Sequence, residues 1–139
     1  MKYIKFVLLA IWQLPQNILG ALLLLFYYLF KNKPKYYLTL GDVFYFYTLN
    51  MPSGISLGNI VIMNYPLNRR ANDTKHEFGH SIQSKILGFL YLIIIGVFSL
   101  AGNVWDRLFH KKWDNKKRTQ WYYNLPWEKW ADKLGGVKR

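Results

Sequence analysis

His76-Glu77-Phe78-Gly79-His80 forms an H-E-x-x-H pattern within the stretch from Lys75 to Ser84. Residues four apart on a helix share a face, so His76 and His80 can present imidazole nitrogens to one ion. Glu77 need not be a ligand; in such a site it accepts a proton from water that the ion has acidified. Three histidines and two glutamates occur in the 139 residues, and this five-residue window takes two of the one and one of the other. The second glutamate, Glu128, stands in Pro126-Trp127-Glu128-Lys129-Trp130-Ala131-Asp132-Lys133-Leu134-Gly135. A catalytic zinc takes three protein ligands and keeps a fourth position for water, which makes Glu128 the obvious third ligand. Asp132, one helical turn further on the same face, can accept the free ring N–H of a ligating histidine and fix its tautomer. The chain has no cysteine, so disulfides, thiolate metal sites and thiol nucleophiles are excluded.

The pair H-E-F-G-H-S-I-Q and E-K-W-A-D-K-L-G resembles the gluzincin metallopeptidases of membranes. The closest kinds are the CAAX prenyl protease and heat-shock membrane protease families, with the small soluble minigluzincins. Those families join H-E-x-x-H to a downstream E-x-x-x-D, often E-x-x-A-D-x-x-G. The resemblance implies Zn2+ held by His76, His80 and Glu128, a general base at Glu77, and Asp132 as the partner of a ligating histidine. An arginine that these families often place shortly before the glutamate is not apparent here.

The elements that must position these residues are read from patterning. Asn72-Asp73-Thr74 offers N-cap residues ahead of the motif, so the motif should open a helix. Pro126 to Leu134 reads as a second short helix, with proline near its start and Gly135-Gly136 as its stop. Residues 36–64 read as β structure, with Val43 to Thr48 and Ile60 to Met63 as the clearest strands. Turn formers from Asn50 to Gly54 between them predict a hairpin or short meander. The residues Ile55, Ser56, Leu57 and Gly58 fall in a strand just ahead of the motif. In gluzincins such an edge strand pairs with the extended substrate, by the physics of β-augmentation.

Two apolar segments frame this domain. Phe6 to Phe30 holds no charge in 25 positions, enough for a membrane helix, although Trp12-Gln13-Leu14-Pro15-Gln16-Asn17 in its middle is polar. That predicts an interfacial helix to Leu14 and a steep one from Gln16. Ile86 to Trp105 adds 20 uncharged residues. A single crossing by this second segment would put His76 and Glu128 on opposite sides, since nothing after Asp106 is apolar enough to return. Ligands about 2 Å from one ion cannot be separated by a bilayer about 30 Å thick. Either Glu128 is not the ligand, or the segment re-enters, with Gly88, Gly96 or Gly102 as break points, or lies along the interface; a soluble core helix is the remaining alternative.

Lys and Arg outnumber Asp and Glu by 19 to 7, a formal net charge of +12, which favours anionic partners. Six tryptophans and 19% aromatics, placed beside apolar segments, favour anionic lipid headgroups over nucleic acid. Basic residues on both flanks of the second segment place the active site on the cytoplasmic face. His110, Tyr122 and Tyr123 are candidates to stabilise an oxyanion. Trp127 and Trp130 read as packing or interface anchors.

The expectation is therefore an α+β fold: a minimal gluzincin-like domain of small sheet, zinc-site helix and glutamate helix, with membrane-embedded helices. Residues 1–35 form the N-terminal membrane helix segment and 36–139 the metallopeptidase-like domain. The expected activity is zinc-dependent hydrolysis of a peptide or membrane-protein substrate. The alternatives are a non-catalytic membrane scaffold with structural zinc and a basic nucleic-acid binder.

Overall fold

A computed structural model describes residues 2–49, 51–65 and 71–139. The fold is α+β, with six α-helices and a four-stranded mixed sheet among the described residues. In chain order the elements begin with α1 (Lys2–Trp12), α2 (Leu14–Phe30), β1 (Lys35–Leu40) and β2 (Val43–Tyr47). There follow β3 (Ile55–Leu57), β4 (Ile60–Met63), α3 (Ala71–Leu87), α4 (Val97–Phe109), α5 (Asn115–Tyr123) and α6 (Pro126–Gly135).

The sheet order is β1-β2-β4-β3. The two clearest strands, expected to be joined through a hairpin or short meander, pair in parallel, with Phe44 opposite Ile60 and Tyr47 opposite Met63. The hairpins lie elsewhere, at β1–β2 and β3–β4, where Gly41 and Gly58 adopt positive φ. Alternation along the central strands gives the sheet two apolar faces. Val43, Tyr45, Val61 and Met63 form the core on one face, packed by Phe78 of α3. The other face meets α1 and α2: Phe6 lies edge-on to Phe44, and Gly20 lets α2 approach Ile60 and Leu57. The result is three layers, with the sheet between the N-terminal helices and α3.

The polar middle of the first apolar segment is an anchor. Helices α1 and α2 meet at 85° around Gln13, and Pro15 sits harmlessly in the first turn of α2. Gln13 and Gln16 are fully buried. Gln13 donates to Asn59 Oδ1 at 2.9 Å, and Gln16 donates to Ser84 Oγ at 2.9 Å and to Gly88 O at 2.8 Å. Asn17 accepts from the Asn59 amide at 2.8 Å. These bonds join the N-terminal helices to the sheet and to the end of α3, so residues 2–30 are built into the same body.

Helix α3 opens one turn earlier than the capping residues suggest. It begins at Ala71, so Asn72, Asp73 and Thr74 form its first turn, and the residues before it fall outside those described. Asn50, part of the predicted turn, also lies outside them. After Leu87 the α-helix breaks at Gly88, where φ is +54° and a Cβ would stand 2.1 Å from the Trp12 ring. From there to Phe109 the chain is helical, through a 3-10 turn at Gly88–Leu90 and a π-helical stretch at Leu92–Gly96. Of the three expected break points inside 86–105, only Gly88 breaks the helix; Gly96 and Gly102 do not, and Leu92–Phe109 is one helix. It is also the only described helix that is by itself long and apolar enough to cross a membrane. The chain returns through α5, whose Tyr122, with the following Leu125, packs against Gly102.

Candidate metal centre

Helices α3 and α6 cross at contact distance because each carries a glycine where the other's backbone passes. A Cβ on Gly79 would stand 1.9 Å from Ala131 O, and one on Gly135 would stand 1.9 Å from Lys75 O. This crossing faces the first turn of α6, where Pro126 starts the helix and Glu128 follows, toward the middle of α3. Gly136, left-handed at φ 70°, ends α6 as the sequence suggested.

At the crossing three buried side chains converge. His76 Nε2, His80 Nε2 and Glu128 Oε2 form a triangle with each edge 3.1 Å. The remaining polar atoms fix which lone pairs face inward. Gln83 Nε2 donates to Trp127 O at 2.8 Å, which sets its amide and leaves Oε1 as the acceptor toward His80 Nδ1 at 2.7 Å. His80 must therefore carry its proton on Nδ1. His76 Nδ1 lies 2.7 Å from Asp132 Oδ1, so that nitrogen also donates. Both neutral imidazoles then turn an Nε2 lone pair toward a carboxylate oxygen. Three acceptors at this spacing repel one another unless a cation or proton lies among them. A tetrahedral zinc with bonds of about 2.0–2.1 Å needs donors about 3.3 Å apart, so the set fits. His76, His80 and Glu128 could hold a metal ion.

The electrostatics agree with that fit. Burial alone would lower the His76 pKa, but hydrogen bonds to Asp132 and Glu128 outweigh it and raise it to about 9. Burial would raise the Glu128 carboxyl, but where a proton rather than a metal lies among the three, hydrogen bonds from His76 and His80 hold it far below the usual carboxylate range. The site favours positive charge at its centre. Tyr122 donates to the other oxygen, Glu128 Oε1, at 3.0 Å and so orients the carboxylate. Position Glu128 also lies in the first turn of α6, where the helix dipole favours an anion.

Glu77 lines the same cleft and is 8% exposed. Its carboxyl accepts no hydrogen bond among the described residues, and burial shifts its pKa upward. A methyl group on Gly54 would come 2.9 Å from Glu77 Oε1, so this loop holds the carboxyl against the cleft wall. The cleft itself encloses about 690 Å3 and runs between the β3 edge and α4–α5.

Several expected residues take other positions. Ile55, Ser56 and Leu57 form the edge strand and line the cleft, whereas Gly58 is the left-handed turn residue packed on Asn17. The Ser56 carbonyl accepts from the buried Tyr91 hydroxyl at 3.1 Å. Tyr122 and Tyr123 do line the cleft. Tyr122 is committed to Glu128, and the Tyr123 ring stands edge-on to His76 at 4.9 Å. His110 does not line the cleft: it is stacked on Trp113 at 3.8 Å, edge-on to Trp121, and bonded to Asp106. Packing and a carboxylate already occupy the ring. Trp127 packs on Phe98, as a packing anchor should.

Two residues of the site were not singled out from sequence. Gln83 lies three positions after His80, a helical spacing that could have flagged it. Arg139 donates to Asp132 Oδ2 at 2.9 Å and lies over the Tyr123 ring at 3.5 Å. It completes a chain from Arg139 through Asp132 to His76, in a position no spacing rule foretells. No protein-family model, curated protein or solved structure matches this chain, so the site stands on its own geometry.

Proposed function

We propose that the protein is a zinc-dependent endopeptidase of gluzincin type that works at a membrane surface. The observation that supports this most is the inward-facing triangle of His76, His80 and Glu128 with Glu77 beside it on an open cleft. Two imidazoles and one carboxylate suit zinc better than the oxygen-seeking cations. Zinc, when bound, would polarise a carbonyl and acidify a water. His76 and His80 are held in the ligating tautomer by Asp132 and Gln83, and Tyr122 steadies Glu128. Glu77 then takes the proton of the attacking water and passes it to the leaving amine, which its raised pKa suits. An open cleft of this kind favours catalysis over a purely structural ion, which needs no access to substrate.

Membrane attachment is part of the same reading. Large apolar side chains lie exposed along α1, α2 and the 86–109 segment, among them Ile4, Leu22, Phe30, Ile93, Leu100 and Phe109. Such a surface exceeds what a protein exposes to water without a partner. Helix α5, at nine residues and with Lys116, Lys117 and Arg118, is about 14 Å long and too polar to cross back. The α4 helix therefore lies in or along one leaflet, with anionic headgroups meeting the lysines around it.

The test is hydrolysis of an unfolded protein such as casein by the purified, zinc-loaded chain. Cleavage should vanish with a zinc chelator and return on adding zinc. Cleavage that persists undiminished through chelation would rule out the zinc mechanism.

A further inference from the structure

The cleft has a second chemical character beyond the metal centre. At its far end it is lined by Asn103, Asp106 and Arg107 of α4 and by Asn115, Arg118 and Thr119 of α5. The one carboxylate there is already neutralised. Asp106 Oδ2 accepts from Arg118 Nη2 at 2.6 Å and Nε at 3.0 Å, while Oδ1 faces His110 at 3.2 Å. This two-point grip fixes the Arg118 guanidinium and leaves its other N–H groups free of Asp106. Arg107 makes no ion pair among the described residues, and the side chains of Asn103, Asn115 and Thr119 have no hydrogen-bond partner there. The set offers more donors than acceptors and a net positive charge, and an arginine oriented by a carboxylate is suited to a planar anion.

We infer that this end of the cleft is a subsite for a carboxylate of the peptide substrate, read chiefly by Arg107 and Arg118. The inference rests on the peptidase reading and adds the substrate class. Its position along the substrate follows from helix geometry. Ser99 O lies 3.5 Å from the Tyr122 hydroxyl, which itself bonds Glu128, so Ser99 marks the metal end of α4. Asp106 is seven residues further, about 10 Å along the helix. An extended peptide advances about 3.3 Å per residue, so the carboxylate belongs about three residues from the scissile bond. The wall between the two ends includes Leu23, Tyr27, Ile95 and Leu100, which suits apolar side chains in the intervening positions.

The experiment is a positional scan of internally quenched peptides with the full-length zinc-loaded protein. Glu, Gln and Lys are placed in turn at each of four positions on both sides of the cut, and a C-terminal carboxylate is compared with its amide. One position about three residues from the cut should prefer Glu over Lys by about tenfold in kcat/KM, chiefly through KM. In R107E that preference should fall to near unity or invert. An effect confined to the free C-terminus would identify the carboxylate as terminal, and one confined to side chains as Glu or Asp. Binding of the Glu and Lys peptides to Glu77→Gln, followed by fluorescence anisotropy, separates this inference from the reaction. Acidic preference in binding that R107E removes would sustain the subsite even if wild type hydrolysed nothing. Equal treatment of Glu and Lys peptides, in turnover and in binding, would overturn it. So would loss of binding to phosphatidylserine vesicles in R107E with peptide preference intact, which would assign the arginine to the membrane.

Discussion

Glu77→Gln is expected to abolish peptide hydrolysis while leaving one zinc bound per chain. The three inward-facing donors are His76, His80 and Glu128, and none is altered by the change. Gln matches the shape of Glu, so contact with the Gly54 loop is kept, and no hydrogen bond to the Glu77 carboxyl is sacrificed among the described residues. What is lost is the proton acceptor. A positioned general base contributes about 100-fold to 10,000-fold, so kcat should fall by at least that lower figure. Burial raises the Glu77 pKa and makes its carboxylate a better base than an exposed one, which places the effect toward the upper end. Elemental analysis and turnover of a quenched peptide, on the same sample, check both halves. A variant that cleaves like wild type would remove Glu77 from the mechanism. One that loses its zinc would show that Glu77 helps to hold the metal.

Gly79→Ala should destabilise the protein and release the metal, although helix propensity argues the opposite. In an isolated helix, replacing glycine by alanine stabilises by up to about 1 kcal/mol. Here the added methyl would meet Ala131 O at 1.9 Å, and the obstacle is backbone rather than a movable side chain. Overpacking costs about 1–3 kcal/mol even where side chains can adjust, so the packing loss exceeds the propensity gain. Relief requires α3 and α6 to move apart. Glu128 rides on α6 and both histidines on α3, so the 3.1 Å triangle opens with them. The net expectation is a loss of about 2 kcal/mol, read by thermal or denaturant unfolding, with weaker zinc binding at equal protein concentration. A Gly79→Ala variant as stable as wild type would mean that the helices do not cross this closely.

The site was legible where local geometry sufficed. Four-residue spacing puts His76 with His80 and Glu128 with Asp132, and the scarcity of glutamate left one partner for the histidines. Where contacts depend on distant parts of the chain, sequence was silent. Arg139 reaches Asp132 because the chain folds back after Gly136, and no periodicity encodes that. The sheet shows the same limit. Two apolar runs separated by turn formers read as a hairpin or short meander, yet β3 lies between them in the chain and the central pair is parallel. The break predicted at the polar stretch is present between α1 and α2, but the partners of its side chains were not readable: Gln13, Gln16 and Asn17 bind the sheet and the Gly88 turn. His76 and Glu128 do come together, 3.1 Å apart. The break falls at Gly88, the first of the three expected glycines, and the rest of the apolar run stays helical to Phe109 before α5 follows.

The most direct test of the account is metal content of the purified protein by elemental analysis, with Glu128→Ala beside wild type. Wild type should hold one zinc per chain, and the variant should lose it or bind it far more weakly, because two histidines alone make an incomplete site. Zinc retained equally by Glu128→Ala would contradict the three-ligand centre, and absence of zinc from wild type even after adding it back would contradict the peptidase.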